Sequence, residues 1–580
     1  MTNYILQEDG GRLLTEAGSD PLIQDRDRFF AATATAEATA QVLQFKRGVG
    51  FFAVAMGEAQ AAVLQFNVTR FEPRYDRRIT RIFLSEIEAY DPASSSVITY
   101  RFASGQGYDN AGTFYKPRIE NPATFSRSMA GGQIGGKTSM SFGELTLVNI
   151  DRELAAMADD YYDGRTLTLK IGDPAAAYNT FTTVLKSTIE TVAVERERIS
   201  VRLRDRSVAL DKPFSTAKFG GTNVLPNGID GTADDIKDQP KPRILGRIAL
   251  MQPVQVNTSK LIYMVNAGAV DAILNVFDAG AYLAKGADYT NQADMEANEP
   301  AQGTWRACPS IGCFRLGSVP YGQISVSVTE EWDYLSNTAA GLVQRILTEK
   351  GYTSSDWVAA DFTTLNSKNA GSLGIVVQGE ETTASLIDRI CQSVGTWWGF
   401  DSLNRFRIAR FEAPSGSPVA TLTDNEVLEI ERQPEGQLPL WQTTLKADIN
   451  YVTQDKKSLA GVVPELRAAW FASESRDQKA ENADVKTQRL LAETETYDSA
   501  LNGISIAQAE SARRLALFSQ RRDVVTVTLA NPADRYATLD LGAVVNVQSD
   551  KLSYGTGRLM TVISVSADFQ SGTLDLTLWG

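Results

Sequence analysis

From Arg77 onward the chain alternates apolar and polar residues over one short run after another: RITRIFLSEIEAY, VITYRFASGQGY, ELTLVNID, TLTLKIGD, TFTTVLKSTIETVAV and RISVRLRDRS. A period of two puts every second side chain on one face of an extended strand, so each run has a single face to bury. Runs at such close intervals constrain this stretch to a small barrel or sandwich. Among them only DRELAAMADDYY reads as a helix, with Asp151 as its N-cap.

One stretch, GGQIGGKTSM, fits the phosphate-loop pattern G-x-x-x-x-G-K-[ST] through Gly131, Gly136, Lys137 and Thr138. That loop works only between a buried strand and a helix N-terminus, whose free N–H groups hold the phosphates. Upstream, ENPATFSRSMA contains no run of apolar residues fit for a central parallel strand. Downstream, Phe142, Leu145 and Leu147 alternate with Glu144 and Thr146 around Gly143, which reads as a half-buried strand. Without a helix there is no dipole to hold a triphosphate. The expectation is a glycine-rich turn feeding a strand, with no nucleotide.

The chain has 580 residues, too many for one core, with 43% apolar and 22% charged residues, which are ordinary globular values. Its net charge of −13 argues against a broad surface for gripping nucleic acid, but suits a conduit through which DNA slides. Histidine is absent, which removes Ser-His-Asp and Cys-His catalysis and histidine metal sites. Three cysteines, Cys308, Cys313 and Cys391, cannot make a disulfide framework or fill a four-cysteine metal site. Cys391 shares a helical face with Leu386, Ile387, Ile390 and Val394 and reads as a core residue. MTNYILQEDG lacks the order of a secretion signal, and the apolar stretch GVGFFAVAMGEAQAAVLQF is broken by Glu58 and Gln60. A soluble protein assembled in a cytoplasm is expected.

The alanine-rich start carries VLQF twice, at Val42 to Phe45 and at Val63 to Phe66, as two short strands would. A long Gly, Pro, Asn and Asp loop follows the first β region, and the spacing of Asp230, Asp234 and Asp235 fails the calcium-loop pattern. TAAGLVQRILTEKG places Leu342, Val343, Ile346 and Leu347 on one helical face and ends at Gly351. Trp397 and Trp398, adjacent in a strand, point to opposite faces, one buried and one at an interface. FASESRDQKAENADVKTQRLL reads as a helix or a long connection. IAQAESARRLALFSQRR is a better helix, with Ile506, Ala509, Leu515 and Phe518 set against a solvated Arg513, Arg514, Arg521 and Arg522. Strands then run to the end at TLDLTLWG.

Several segments, in order, resemble a family of long-tailed phage and prophage tail proteins, the baseplate or tail-tip hub components. They are FGELTLVNIDRELAAMADDYYDGRTLTLKIGD, GGTNVLPNGIDGTADDIKDQPKPRILGRI, CFRLGSVPYGQISVSV, and ARRLALFSQRR through LDLGAVVNV to TLDLTLWG. The likeness covers roughly residues 75 to 580; residues 1 to 74 have no clear counterpart. In that family the glycine-rich run before the ELTLVN strand is also a turn. The cysteines depart from related hubs that carry an iron–sulfur cluster, so no cofactor and no metal is carried over.

The resemblance implies a virion tail protein, made in the host cytoplasm. Its ring, typically a homotrimer, would join the distal tube to the tip and enclose the DNA channel, through which DNA passes without specific binding. Its partners would be tube proteins, the tape measure protein and tip or fibre proteins. The expected fold is mainly β with α+β parts, several small β-barrel or sandwich domains plus a few helices. The expected divisions are 1–74 (an extension), 75–210 (a first barrel), 211–330 (a second β domain), 331–415 (an α/β domain) and 416–580 (a long helix and closing barrel). The rival class is a glycan-binding or envelope-degrading tail protein. Paired carboxylates are then the one option for catalysis: Asp159/Asp160, Asp234/Asp235, Glu330/Glu331 and Glu380/Glu381. Neighbours in sequence rarely face one another across a cleft, as glycosidases require, so no catalytic residue is expected.

Overall fold

The computed structural model describes residues 81–129, 135–433, 439–530 and 538–580, together with short strands nearer the start. The chain forms two units, Met1–Ile79 and Thr80–Gly580. In the first, Glu8–Asp9 pairs antiparallel with Arg12–Leu13, and Phe30–Ala34 pairs parallel with Phe51–Ala55. Both VLQF repeats lie outside the described residues.

In the second unit the period-two runs become a closed barrel, as expected. Its strands follow the order Leu145–Val148, Arg198–Arg204, Thr182–Val194, Thr166–Gly172, Ile82–Asp91, Ser96–Ser104 and Thr113–Asn121. The last strand returns to the first through Leu147 and Ile119, which removes the free edges. RISVRLR shows the logic: Ile199, Val201 and Leu203 are buried while Arg198, Arg202 and Arg204 are exposed. Each fully buried aliphatic side chain contributes about 1.5–3 kcal/mol.

DRELAAMADDYY departs from expectation. It makes a single 3₁₀ turn, Ala155–Asp159, with no side-chain cap. Asp151 accepts the Glu153 N–H and pairs with Arg118, and the Asn149 side chain accepts the Leu154 N–H. Tyr161 then bridges back to Tyr90, so the connection between two barrel strands ends before a helix can extend.

A second large sheet is assembled from distant parts of the sequence. Its strands run in the order Ser139–Phe142, Phe125–Ser128, Arg558–Asp568, Thr573–Trp579, Val524–Ala530 and Val427–Arg432. Val544–Gln548 joins the first part of Arg558–Asp568, and Ala420–Thr423 pairs parallel with it. Phe125–Ser128 emerges from the barrel and pairs with Ser564 to Ala567 near the other end of the chain. The barrel interior and this sheet share one hydrophobic core, in which Leu147, Leu169 and Val201 are continuous with Val527, Leu576 and Leu578.

Residues 243–329 make most of two further five-stranded sheets, one of which is completed by Gly374–Val377 pairing with Arg243–Gly246. In the loop before them, Asp230 accepts from the Gly220 N–H and the Thr222 hydroxyl and pairs with Lys241, while Asp235 accepts from the Thr232 and Ile236 N–H groups. These aspartates pin turns, and Asp234 stays exposed.

Two expected helices form at Ala339–Glu349, capped by the Thr338 hydroxyl, and at Thr383–Ser393, capped by that of Thr382. Gly351, at φ +84, follows the first, where a left-handed residue is favoured. A third helix, Ala359–Lys368, lacks a strong apolar stripe and buries only Phe362 and Leu365. FASESRDQKAENADVKTQRLL is neither one helix nor a plain connection: Arg476–Glu481 is a strand and Ala483–Gln488 a short helix. The strand pairs with Leu440–Ala447, whose amide and carbonyl groups draw a polar segment into extended form.

Candidate functional site

The glycine-rich stretch around Lys137 lies where two cores meet. Gly136–Lys137 forms a short strand pairing parallel with Trp397 and Trp398, and the Thr138 N–H bonds the Trp398 carbonyl at 2.7 Å. Ser139–Phe142 continues as a strand, so the helix that a phosphate loop needs is replaced by a sheet. The Lys137 N–H donates to Asp388 Oδ1 at 2.7 Å, and the Trp398 indole N–H donates to the same oxygen at 2.7 Å. Lys137 Nζ pairs with Asp211 at 3.1 Å. Burial pushes the Asp388 carboxyl above its ordinary range, and these donors and the Lys137 charge only partly oppose the shift.

Of the two pattern glycines, Gly131 lies outside the described residues and Gly136 is set by its backbone at φ +114, while close approach acts at neighbouring glycines. Gly135 sits at φ +84, and a Cβ there would lie 2.9 Å from the Thr396 carbonyl oxygen. On the facing strand a Cβ at Gly399 would come within 1.9 Å of the Thr138 hydroxyl. The G-K-T spacing is therefore accounted for by packing. ATP titrated against the intact chain is expected to give no binding heat, and Lys137→Ala to change nothing; saturable binding lost in that variant would reverse this reading.

The two tryptophans do point to opposite faces, but both are buried. Trp397 joins the core of the barrel and second sheet, and Trp398 joins the helical core, stacking on Phe406 with ring centroids 5.6 Å apart. The expected exposed interface tryptophan is absent from this pair because a second core covers the other face.

Beside them lies a buried ionic cluster. The helix Ile504–Phe518 turns inward through Ala507, Glu510, Ser511, Arg514, Leu515, Leu517 and Phe518, while Ala509 is exposed. This corrects the expectation that Ala509 faces the core and that Arg513 and Arg514 are solvated. Glu510 Oε1 accepts from Arg514 Nε at 2.8 Å and Arg513 Nη2 at 2.6 Å, and its Oε2 accepts from Arg410 Nη2 at 3.0 Å. Burial raises the Glu510 carboxyl, but the Arg513 hydrogen bond and the charges of Arg514, Arg513 and Arg410 outweigh it and hold the carboxyl below its usual range.

The same arginines reach outward. Arg514 donates to the Gln392 carbonyl at 2.5 Å, Arg410 to that of Lys368 at 2.6 Å, and Arg513 to that of Phe411 at 2.7 Å. Gln392 and Lys368 lie in the last turns of two helices, where carbonyls lack partners and cations are favoured. One carboxylate thus organises three guanidiniums that clamp three helices and a strand. The signal was present in sequence: Glu510, Arg513 and Arg514 stand at i, i+3 and i+4, the spacing of helical ion pairs. Arg410, about a hundred positions away, was not foreseeable from that spacing.

The adjacent carboxylates serve separate partners. Asp160 accepts from the Tyr100 hydroxyl at 2.5 Å while Asp159 is exposed. Glu330 pairs with Arg345 at 2.7 Å, whereas Glu331 accepts the Asp333 N–H at 3.2 Å. Glu380 pairs with Lys218 at 2.7 Å and Glu381 with Arg389 at 2.8 Å. Cys308 and Cys313 face each other across a hairpin, and both are buried, as is Cys391 in the helical core. Burial pushes all three thiols up, Cys391 most plainly, which disfavours thiolate chemistry. Among the described residues no group of three or more His, Cys, Asp or Glu side chains could hold a metal ion, and no helix is long and apolar enough to cross a membrane.

Phage and prophage tail proteins are the structural neighbours of this chain. A tail protein from Neisseria meningitidis MC58 aligns with a TM-score of 0.37 and 10% identity, over 82% of this chain and 95% of that one. The 43 kDa tail protein of prophage MuSo2 from Shewanella oneidensis gives 0.35 and 10%, over 81% and 95%. A chain of the native gene transfer agent virion gives 0.37 and 15%, over 64% and 91%. No protein-family profile matches the chain, and no curated protein matches it.

Proposed function

We propose that the chain is a structural component of a phage tail baseplate or tip hub, forming a ring that joins the distal tube to tip proteins and encloses the DNA channel. The carrying observation is the splice between barrel and second sheet. Phe125–Ser128 leaves the barrel and pairs with Arg558–Asp568, so segments from opposite ends of the second unit share one sheet and one core. Such a body transmits force without a flexible linker, which suits a mechanical coupling. The sequence motifs quoted above, in the order of the tail-hub family, supply the biological setting.

The reactive side-chain types support the same reading, because the buried cysteines and paired carboxylates serve packing and ion pairing. The ring is a homotrimer, its neighbours are tube, tape measure and tip proteins, and acidic side chains face its lumen. The charge of −13 motivates the last point, since an acidic wall repels DNA and lowers friction.

Cryo-electron microscopy of intact particles tests this. Density for the chain is expected at the distal end of the tail, around the axis, in three copies. Absence from purified particles, or a lumen lined mainly by Lys and Arg, would overturn the corresponding part of the reading.

A further inference from the structure

A cleft of about 760 Å³ opens between one face of the sheet built on Ile324–Thr329 and the segment 464–470, with Gly503 at its wall. Its size falls within the ~300–1,000 Å³ of small-ligand sites, and junctions of this kind are where such sites occur. The floor mixes apolar and polar side chains, with Leu274 and Phe277 beside Asn275 and Ser327. Ser327, on the central strand, stands opposite Asn275, while the other face of the same sheet packs Ile273, Val326 and Val328 into a core.

Four polar side chains lining this cleft, Arg247, Asn275, Ser327 and Arg467, make no side-chain hydrogen bond or ion pair with other described residues. Ser327 lines the cleft and is only 8% exposed, so the cleft is where its hydroxyl meets a ligand. The Arg467 guanidinium lies 4.0 Å over the Tyr282 ring, which fixes its plane and leaves its N–H edges available. Trp470, half-buried, provides a second aromatic wall. Asp448 also lines the cleft, but its Oδ1 is occupied by the Gly503 N–H at 2.8 Å. Two arginines against one aspartate leave a local positive balance in a chain whose net charge is −13.

We propose that this cleft binds a carboxylated oligosaccharide, a pyranose face set against Trp470, its hydroxyls on Asn275 and Ser327, and its carboxylate on Arg247 and on Arg467, which Tyr282 backs. The donor set selects that class. Guanidiniums match carboxylates, amide and hydroxyl groups match sugar hydroxyls, and the half-buried Trp470 ring matches the C–H face of a pyranose. A peptide adding as a strand is disfavoured, because Ile324–Thr329 is paired on both sides and the floor has no free main-chain row. The inference is independent of the ring, since every residue named belongs to one chain.

The test is calorimetric titration of the intact chain with tetragalacturonate and with a sialic acid tetramer. Cellotetraose serves as the neutral comparator and tetraglutamate as the peptide one. At least one carboxylated sugar is expected to bind, with cellotetraose weaker. Arg247→Ala and Arg467→Gln should each weaken binding about tenfold, the loss of one charge-assisted contact. Arg467→Gln removes the guanidinium and keeps a polar side chain, and Asn275→Asp adds repulsion from a strand position without changing size, so an unchanged melting curve separates lost contact from lost fold. Arg202→Ala, on the barrel, should leave binding unaltered. The proposal is overturned if neither carboxylated sugar binds, if the cleft variants bind as the parent does, or if tetraglutamate binds as tightly as the sugars.

Discussion

Glu510→Gln is expected to destabilise the protein by about 3–5 kcal/mol at neutral pH, the scale for removing one partner of a buried ion pair. Glutamine keeps the shape but removes the charge on which Arg410, Arg513 and Arg514 converge, and the Arg514 side chain is only 1% exposed. Three guanidiniums would then be left near one another, with Glu412, among the described residues, pairing with two of them. The measurement is the urea midpoint of the helical region, followed by circular dichroism. The double variant Glu510→Gln with Arg514→Met should recover part of the loss, because it removes the most deeply buried uncompensated cation. A midpoint within about 0.5 kcal/mol of the parent, the range of ordinary surface changes, would show that the cluster is not a clamp.

The pH dependence follows from the direction of the shift. The Glu510 carboxyl titrates below its unfolded value, so the folded state binds fewer protons and the contribution is complete above the unfolded pKa of about 4.3. It is lost as pH falls through the lower folded value. The gap between parent and Glu510→Gln should therefore be widest near neutrality and should close on acidification through that window.

Gly399→Ala carries the second large effect. Its new methyl would stand 1.9 Å from the Thr138 hydroxyl, and Thr138 is only 3% exposed, flanked by the strand that holds Lys137. Overpacking of this kind costs about 1–3 kcal/mol, and the rigid setting places this site toward the upper end. Thr138→Ala removes the hydroxyl and leaves the next approach at 3.2 Å, a distance small shifts can absorb. A double-mutant cycle should give a coupling of about 1 kcal/mol or more between the two positions, since they are in direct contact. Additive effects would mean that the glycine-rich strand does not pack on Gly399.

Much of the fold was legible because local periodicity reports which face of an element is buried. The barrel strands and the helices at Ala339–Glu349 and Thr383–Ser393 follow from spacing read over a few residues, whereas the run after Thr138, read as one strand, breaks at Gly143 into Ser139–Phe142 of the second sheet and Leu145–Val148 of the barrel. The helix Ala359–Lys368 was missed because its apolar positions are few, and the strand Arg476–Glu481 because its six residues carry four charges and no large apolar side chain. Its conformation is imposed by a neighbour.

The site divides along the same line. Sequence alone determined that G-K-T leads into a strand, and its i, i+3 and i+4 spacing already placed Glu510, Arg513 and Arg514 on one helical side, although the arginines were read as solvated. Only tertiary structure decided that this side faces inward to meet Arg410, that Trp397 and Trp398 enter two different cores, and that Phe125–Ser128 pairs with Arg558–Asp568. The physical reason is range. Periodicity and helical ion pairing act between residues a few positions apart, whereas burial of a charge and closure of a sheet depend on partners that the chain brings together only by folding.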